Sequence, residues 1–274
     1  MTGAITRAIA LVAYGNAFLR QNLGPDELTL HHPVFQFENK VDFRGVKRGW
    51  FGRRKEVILA GDPAEWLRQL QANGAQRLIL DYASDHTQAP DHQLAGMVGG
   101  GGHWFIHSYD GRGSSVWVGR EHVTRKDDPE RRIWEVNYWL LKQLPQVDLR
   151  SSELTHRSQQ LREALGAICD FSKEHAPEWW KRNFKPAADV LDGAPFDFAK
   201  EHVSKAVPLA FYPEDLQRLF IAASRAWVFG GMGSWNDIGF SEEEVTRRYD
   251  QVSAELFSAV NGALVAATNE PWQG

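Results

Sequence analysis

The sequence contains one cysteine, Cys169, among 274 residues, so it cannot form an intramolecular disulfide. This excludes the small secreted domains that depend on disulfides for stability. The sequence also lacks any run of about 18 apolar residues, which a membrane-spanning helix needs. The apolar run 8–14 is short for a signal peptide, and no small-residue cleavage site follows it. We therefore predict a buried strand over residues 5–14 and a cytoplasmic protein without a membrane segment.

Motifs that identify common catalytic sites are missing as well. The sequence has no Gly-x-Ser-x-Gly nucleophile elbow. Four glycines at 99–102 precede His103 and Trp104, whereas a phosphate-binding loop continues into Gly-Lys-Ser/Thr and a helix. Two interpretations of these glycines stay open: a mobile active-site loop, or a hinge or close chain crossing. We favour the second, and include His103 and Trp104 among the candidate binding residues.

Histidines and aspartates are dense between Asp81 and His107, which suggests a metal site. However, His103 and His107 lie on a predicted strand, where four residues span about 13 Å. Ligands of one zinc ion each approach it to about 2 Å, so a straight strand cannot bring both histidines to one metal. We predict no metal and no cofactor.

The overall composition, with 43% hydrophobic and 24% charged residues, is that of an ordinary globular protein. Eleven tryptophans are the main departure, and large amphipathic rings serve both cores and recognition surfaces. Charge is uneven, because residues 1–126 carry a net charge of +3 and residues 127–274 carry −7. The acidic half would suit a basic protein partner, and we do not expect nucleic acid to bind.

Periodicity and capping signals predict an α+β fold, in which an N-terminal mixed sheet with one or two helices packs against a C-terminal helical layer. The clearest local signal is Asp62, a good N-cap for a helix over 63–72, with Glu65 completing a capping box. The halves are residues 1–126 and 127–274, and we expect them to share one core. The further predicted strands are 33–43, 55–60, 75–82, 103–109 and 115–119, and the further predicted helices are 128–144, 151–174, 213–228 and 241–268.

Residues 40–55 hold seven cations and one acid, with aromatic residues and glycines between them. Arg53 and Arg54 would hold a phosphate if this segment were a binding site. The alternative is a hairpin turn whose charges lie in water. We favour the solvated turn, because the chain as a whole is acidic and nucleic-acid-binding proteins show broader basic surfaces.

The segment 229–237 has three glycines between two predicted helices. It is either a tight connection that places Trp235 in the core, or a binding site, and the sequence favours neither interpretation. One glycine ends a helix, whereas three suggest close approach of the backbone to something else. The candidate binding residues here are Gly231, Gly233, Trp235, Asn236 and Asp237.

Aromatic residues also cluster at 133–139 and 178–184, where they would either pack the core or recognise a partner. From these patterns we expect a non-catalytic cytosolic binding protein, of the immunity or inhibitor kind, that recognises another protein through an aromatic and acidic surface. The alternative is a small-molecule or phosphate-handling enzyme. Its cleft would lie between the two halves, with a floor made by residues 99–104, Arg53 or Arg54, and residues 230–237.

Overall fold

A computed structural model describes residues 3–48, 53–85, 89–144, 154–196 and 203–270. It confirms the predicted α+β class, with a mixed sheet and a C-terminal helical region. The strands are β1 (Glu38–Arg48), β2 (Arg54–Ala60), β3 (Arg77–Ala83), β4 (His103–Tyr109), β5 (Ser114–Val123) and β6 (Trp134–Leu144). The helices are α1 (Gly3–Leu19), α2 (Pro63–Ala72), the short α3 (Asp91–Leu94), α4 (Leu154–His175), α5 (Lys181–Leu191), α6 (Glu214–Ala226) and α7 (Glu243–Asn269).

In the described residues the sheet has six strands, in the order β2-β1-β6-β5-β4-β3. Strands β1 and β6 are parallel, and the other neighbouring pairs are antiparallel. The register places Val41 beside Val136 and Phe43 beside Tyr138, and all four side chains are buried. Because β6 lies at residues 134–144, the sheet includes residues on both sides of the boundary predicted at 126/127.

The helix predicted over 128–144 is wrong, because this segment forms β6. Asp128 does not start a helix; its carboxylate accepts the backbone N–H groups of Glu130 and Arg132 and forms a turn in which Arg131 has φ 58°. From Trp134 to Tyr138 apolar residues alternate with polar ones, and this period of two is typical of a strand.

The strand predicted over 5–14 is also wrong, since these residues belong to helix α1. The helix contacts α2, α7, β3 and β4, and it is therefore apolar on nearly every side. Asn16 attaches it to β3: its side-chain amide donates to the Leu78 carbonyl at 2.9 Å and accepts the Leu78 N–H at 2.7 Å. Asn269 forms the same pair of bonds with Leu80, so two amide side chains satisfy backbone groups on this edge strand.

Helix α2 begins as predicted. Asp62 accepts the Glu65 N–H at 2.8 Å, and the Glu65 carboxylate accepts the Gly61 N–H at 2.6 Å. The capped helix then places Trp66 on the sheet, where its ring stacks on Phe43 at a centroid distance of 4.3 Å.

Helices α4 to α7 form the C-terminal helical region, in which α4 packs against both α5 and α7. The sheet and these helices contribute to one cluster of buried apolar side chains. In the part of the chain that the structure describes, no helix has the length and apolar character needed to cross a membrane.

Candidate functional site

A cavity of about 970 Å³ lies where the first turns of α1 meet residues 33–38, residues 95–105 and the adjoining ends of β5 and β6. Helix α1 brings Arg7 to it, and strands β1 and β5 bring Glu38 and Glu121. The cavity also has side chains from the helical region in its wall, namely Lys205 and Trp227. It therefore joins segments from both halves of the chain.

Four residues form what we call the polar floor of the cavity: Arg7, Glu38, Glu121 and Tyr138. The Arg7 guanidinium forms ion pairs with both glutamates, and Tyr138 lies close enough to interact with it electrostatically. The side chains of Arg7 and Glu38 are each only 3% exposed. Nevertheless, Arg7 Nε and Glu38 Oε2 have no hydrogen-bond partner among the described residues, and the same holds for Nε1 of Trp227 in the cavity wall.

Burial and charge act against each other in the polar floor. Burial raises the pKa of Glu38, and the neighbouring Arg7 only partly offsets this effect. Burial alone would lower the pKa of Arg7, but the carboxylates of Glu121 and Glu38 raise it above its usual value. Burial likewise raises the pKa of the Tyr138 hydroxyl. Arg7 therefore stays a cation, and Glu38 holds a proton more readily than an ordinary glutamate does.

The glycine segment, residues 96–102, forms a second wall of the cavity. A Cβ at Gly100 would lie 2.2 Å from the Leu94 carbonyl oxygen, and one at Gly102 would lie 2.5 Å from the Tyr82 hydroxyl. Gly102 also has φ 82°, a conformation that favours glycine. These contacts support the interpretation of the glycines as a close chain crossing.

Partly buried hydrogen bonds hold the glycine segment in place. The Tyr82 hydroxyl donates to Asp91 Oδ2 at 2.6 Å, and the Ser84 hydroxyl donates to the same oxygen. Burial, followed by the interaction with Asp91, raises the pKa of Tyr82, so the hydroxyl remains a donor at neutral pH. Tyr82 also contacts the Gly101 carbonyl at 3.3 Å.

Four exposed apolar side chains line the same cavity, and we call them the apolar rim. Met97 and Val98, in the glycine segment, are 64% and 66% exposed. Phe37 and Leu141 are each 48% exposed. Large apolar side chains grouped around an opening are typical of a surface that binds another molecule. The cavity thus combines charged, buried groups with an apolar entrance.

Two of the predicted binding residues, His103 and Trp104, line the cavity. Alternation along β4 directs them to opposite faces of the sheet, and Trp104 is buried against Tyr82 at a centroid distance of 4.9 Å. His103 remains exposed, with Nε2 at 3.5 Å from the Asp85 carboxylate.

The predicted site at 229–237 lies behind the glycine segment, and none of residues 230–237 is among the described residues that line the cavity. A Cβ on Gly96 would lie 2.2 Å from the Gly230 carbonyl group. By contrast, a Cβ on Gly231 would meet open space, and Gly233 needs to be glycine only because its φ is 84°. The close approach expected for this segment therefore involves Gly230, Gly231 and the backbone of residue 96.

The polar residues of that segment stabilise the connection. Trp235 is fully buried, and its Nε1 donates to the Ser253 hydroxyl at 2.8 Å. Asn236 donates to the His92 carbonyl at 2.8 Å, which ties the connection to α3. The Asp237 carboxylate accepts the Gly233 N–H. These contacts match the interpretation as a tight connection with Trp235 in the core.

Arg53 and Arg54 are not brought to this cavity. Arg54 begins β2 and pairs with Arg48 across the β1–β2 hairpin, on the edge strand farthest from β3 in the sheet. Both arginines are exposed. Trp50 and Phe51, the aromatic residues of the same basic segment, lie outside the described residues.

Among the residues that the structure describes, no three His, Cys, Asp or Glu side chains form a group that could hold a metal ion. His103 and His107 both lie on strand β4, as predicted. Four residues of strand span about 13 Å, which is too far for the two histidines to share one metal ion. Each faces one aspartate: His103 lies beside Asp85 and His107 beside Asp81, both at 3.5 Å.

His92, in α3, gives a pH-dependent prediction. Burial lowers its pKa, although Asp250 and Asp91 partly oppose this. Below about pH 6.5, the usual pKa of histidine, the unfolded chain binds a proton that folded His92 does not, so stability falls as pH decreases. We expect the melting temperature of His92→Phe to fall less than that of the wild type when the pH is lowered from about 7 to about 5. The matched control, His31→Phe at an exposed histidine, should keep the wild-type difference; equal pH dependence in all three proteins would contradict the prediction.

Sequence reasoning missed all four residues of the polar floor. Arg7 is separated from Glu38 by 31 residues and from Glu121 by 114, and no local spacing connects them. One signal was present, because Arg7 lies inside an apolar segment. A charged side chain there must either reach water or find a buried partner of opposite charge.

The interpretation of the cavity therefore depends on its own geometry: a buried arginine between two glutamates, a glycine segment fixed by Tyr82 and Asp91, and an apolar rim. Comparison of the chain with protein-family models, with curated proteins and with solved structures found no match in any of the three.

Proposed function

We propose that this protein binds a small molecule in the cavity, with the polar end of the ligand at the polar floor. The observation that carries the proposal is a cavity of about 970 Å³ in which the apolar rim lies beside the ion pairs of Arg7 with Glu38 and Glu121. Glu121 is 21% exposed, so the polar floor presents a charged group to a molecule in the cavity.

The size and the lining of the cavity support the same proposal. Its volume of about 970 Å³ falls within the usual range for small-molecule sites, roughly 300–1,000 Å³. Such sites are mainly apolar and aromatic, with a few polar groups that orient the ligand. Trp104, Trp134 and Trp227 supply aromatic surface here, and Arg7 and Glu38 supply the orienting groups.

A test uses nile red, an uncharged dye whose fluorescence rises in apolar surroundings. We expect saturable binding to the wild type and at least about tenfold weaker binding to Val98→Asp, because a charge on the apolar rim opposes burial of an apolar ligand. The matched control is Val46→Asp, since Val46 is 51% exposed and does not line the cavity. This variant should bind the dye like the wild type.

Two results would contradict the proposal. One is the absence of saturable binding to the folded wild type. The other is an equal loss of affinity in Val98→Asp and Val46→Asp, since that would place the dye outside the cavity.

Recognition of a basic protein partner is a second proposal, in keeping with the immunity or inhibitor class expected from the sequence. One observation favours it: Trp179 is 53% exposed and stacks on Trp180 at 4.8 Å. Exposed tryptophans are frequent hot spots of protein interfaces. If a candidate partner is found, Trp179→Ala should weaken its binding by at least about tenfold, while stability changes by only about 0.5 kcal/mol. Unchanged affinity would contradict this second proposal.

A further inference from the structure

We infer that the end of the β1–β2 hairpin binds the phosphate backbone of a nucleic-acid duplex. We call this end the basic ribbon, and it consists of residues 45–48 of β1 paired with residues 54–57 of β2. None of these described residues lines the cavity, so the two binding sites are independent. Contacts to phosphate groups hold a duplex without reading its base sequence.

The basic ribbon lies beyond the part of the hairpin that belongs to the full sheet. Strand β1 pairs with β6 only as far as Arg44. In the described part of the chain, residues 45–48 pair with β2 alone. The side chains of Val46, Lys47 and residues 53–56 are exposed. Both faces of the ribbon are therefore accessible to another molecule.

Positive charge is concentrated in this part of the chain. Residues 45–57 hold five cations and one acid and carry a net charge of +4, whereas the whole chain carries −4. The remaining residues therefore carry −8. The sequence alone favours a solvated turn and no nucleic acid because the chain is acidic, but the acidic character lies outside the ribbon. An anionic polymer would be attracted to this end of the hairpin.

The cations of the ribbon lack the partners that cations have nearer the centre of the sheet. The Nζ of Lys40 and the Nε of Arg44 lie 2.9 Å and 2.8 Å from the two carboxylate oxygens of Asp42. In the ribbon, by contrast, the register places Lys47 directly opposite Lys55, and like charges at opposed positions destabilise strand pairing. Neither lysine forms an ion pair with a described carboxylate. An anion from another molecule would relieve this repulsion.

The placement of the cations fits a groove better than a flat surface. Arg54 and Lys55 are consecutive residues of β2, so they lie on opposite faces of the ribbon. A flat anionic surface, such as a membrane, contacts one face of a ribbon at a time. The major groove of duplex DNA is about 12 Å wide, admits a two-stranded ribbon, and is bordered on both sides by phosphates. A duplex can therefore pair with cations on both faces.

The experiment measures the fluorescence anisotropy of a labelled DNA duplex of about 20 base pairs, titrated with the protein at about 50 mM and about 200 mM salt. We expect saturable binding at the lower salt concentration. Affinity should be at least about thirtyfold weaker at the higher one, which corresponds to about three phosphate contacts. Absence of saturable binding, or affinity that does not change with salt, would overturn the inference.

A double variant, Lys47→Gln with Lys55→Gln, tests whether the ribbon makes these contacts. Its affinity for the duplex at low salt should fall at least about tenfold, and its salt dependence should become less steep. The matched control is Arg247→Gln with Arg248→Gln, which removes the same charge from exposed residues of α7. The control should bind within about threefold of the wild type. Equal losses in the two double variants would place the duplex elsewhere on the protein.

Lys55→Glu separates binding from folding. The substitution places a carboxylate opposite Lys47, and opposite charges at opposed positions stabilise strand pairing. The melting temperature should therefore stay the same or rise, while affinity for the duplex falls at least about thirtyfold. Unchanged affinity in this variant would overturn the inference.

Two competitors distinguish a duplex from other anionic partners. Polyglutamate represents an acidic protein, and vesicles containing phosphatidylserine represent an anionic membrane. At equal concentrations of negative charge, unlabelled duplex should displace the labelled duplex at least about tenfold more effectively than either competitor. Equal or stronger displacement by polyglutamate or by the vesicles would assign the ribbon to that class of partner and overturn the inference.

Discussion

Replacing Trp235 with alanine should lower the free energy of unfolding by about 3–5 kcal/mol, the usual cost of removing a large buried aromatic side chain. Trp235 is fully buried, and its ring lies edge-on to Trp180 at 5.1 Å and to Phe184 at 5.0 Å. Its Nε1 donates to the Ser253 hydroxyl, which is itself buried. The substitution leaves a cavity between α5 and α7 and removes the partner of that hydroxyl, and both effects destabilise the folded state.

Urea unfolding at a single temperature measures this change, with Trp179→Ala as the matched control. Trp179 is also a tryptophan of the helical region, but it is 53% exposed, so its truncation should change stability by only about 0.5 kcal/mol. A loss below about 1 kcal/mol in Trp235→Ala, or a comparable loss in both variants, would show that Trp235 is not part of the core that the structure places around it.

Local signals predicted much of the fold. The start of α2 could be predicted because its cap is formed by Asp62 and Glu65, which lie three residues apart. The strands β3, β4 and β5 could be predicted because each is bounded by glycines or by turn residues. Helices α6 and α7 have clear start signals and apolar spacing, and the structure places them within a few residues of the predicted ranges.

Helix α1 and strand β6 were predicted wrongly for different physical reasons. Helix α1 is buried on nearly every side, so its apolar residues show no helical period, and a short apolar run alone does not distinguish a helix from a strand. Strand β6 was missed because Asp128, Pro129 and Glu130 are favourable both at a helix start and in a turn. The pairing of β6 with β1 and β5 decides between these structures, and pairing over such long sequence separations leaves no local signal.

The candidate site was predictable only where the sequence itself is unusual. The glycines at 99–102 led to His103 and Trp104, and these two residues do line the cavity. Arg7, Glu38 and Glu121 come from three separate elements, so their meeting depends on the topology of the sheet. Arg53 and Arg54 are locally conspicuous, but they lie on the hairpin at the opposite edge of the sheet from β3.

Gly96→Ala should be the most disruptive small substitution in the wall of the cavity. The added Cβ would lie 2.2 Å from the carbonyl carbon and oxygen of Gly230 and 2.5 Å from the nitrogen of Gly231. These are backbone atoms, so no side chain can rotate to make room, and either the glycine segment or the 229–237 connection must move. We expect a loss of about 3 kcal/mol, the upper part of the usual range for overpacking.

The matched control is Gly231→Ala, in the segment on the other side of the same contact. A Cβ there meets open space, and the φ of Gly231 lies outside the left-handed region. Alanine at such a position should leave stability unchanged or raise it by about 0.4–1 kcal/mol, because it restricts the unfolded chain. Urea unfolding of both variants measures the difference.

Since Gly96 itself lines the cavity, any Gly96→Ala protein that folds should also bind nile red more weakly than Gly231→Ala does. Equal stability and equal dye binding in the two variants would mean that the glycine segment does not pack against residues 230–231. This connection would then not hold the wall of the cavity in place.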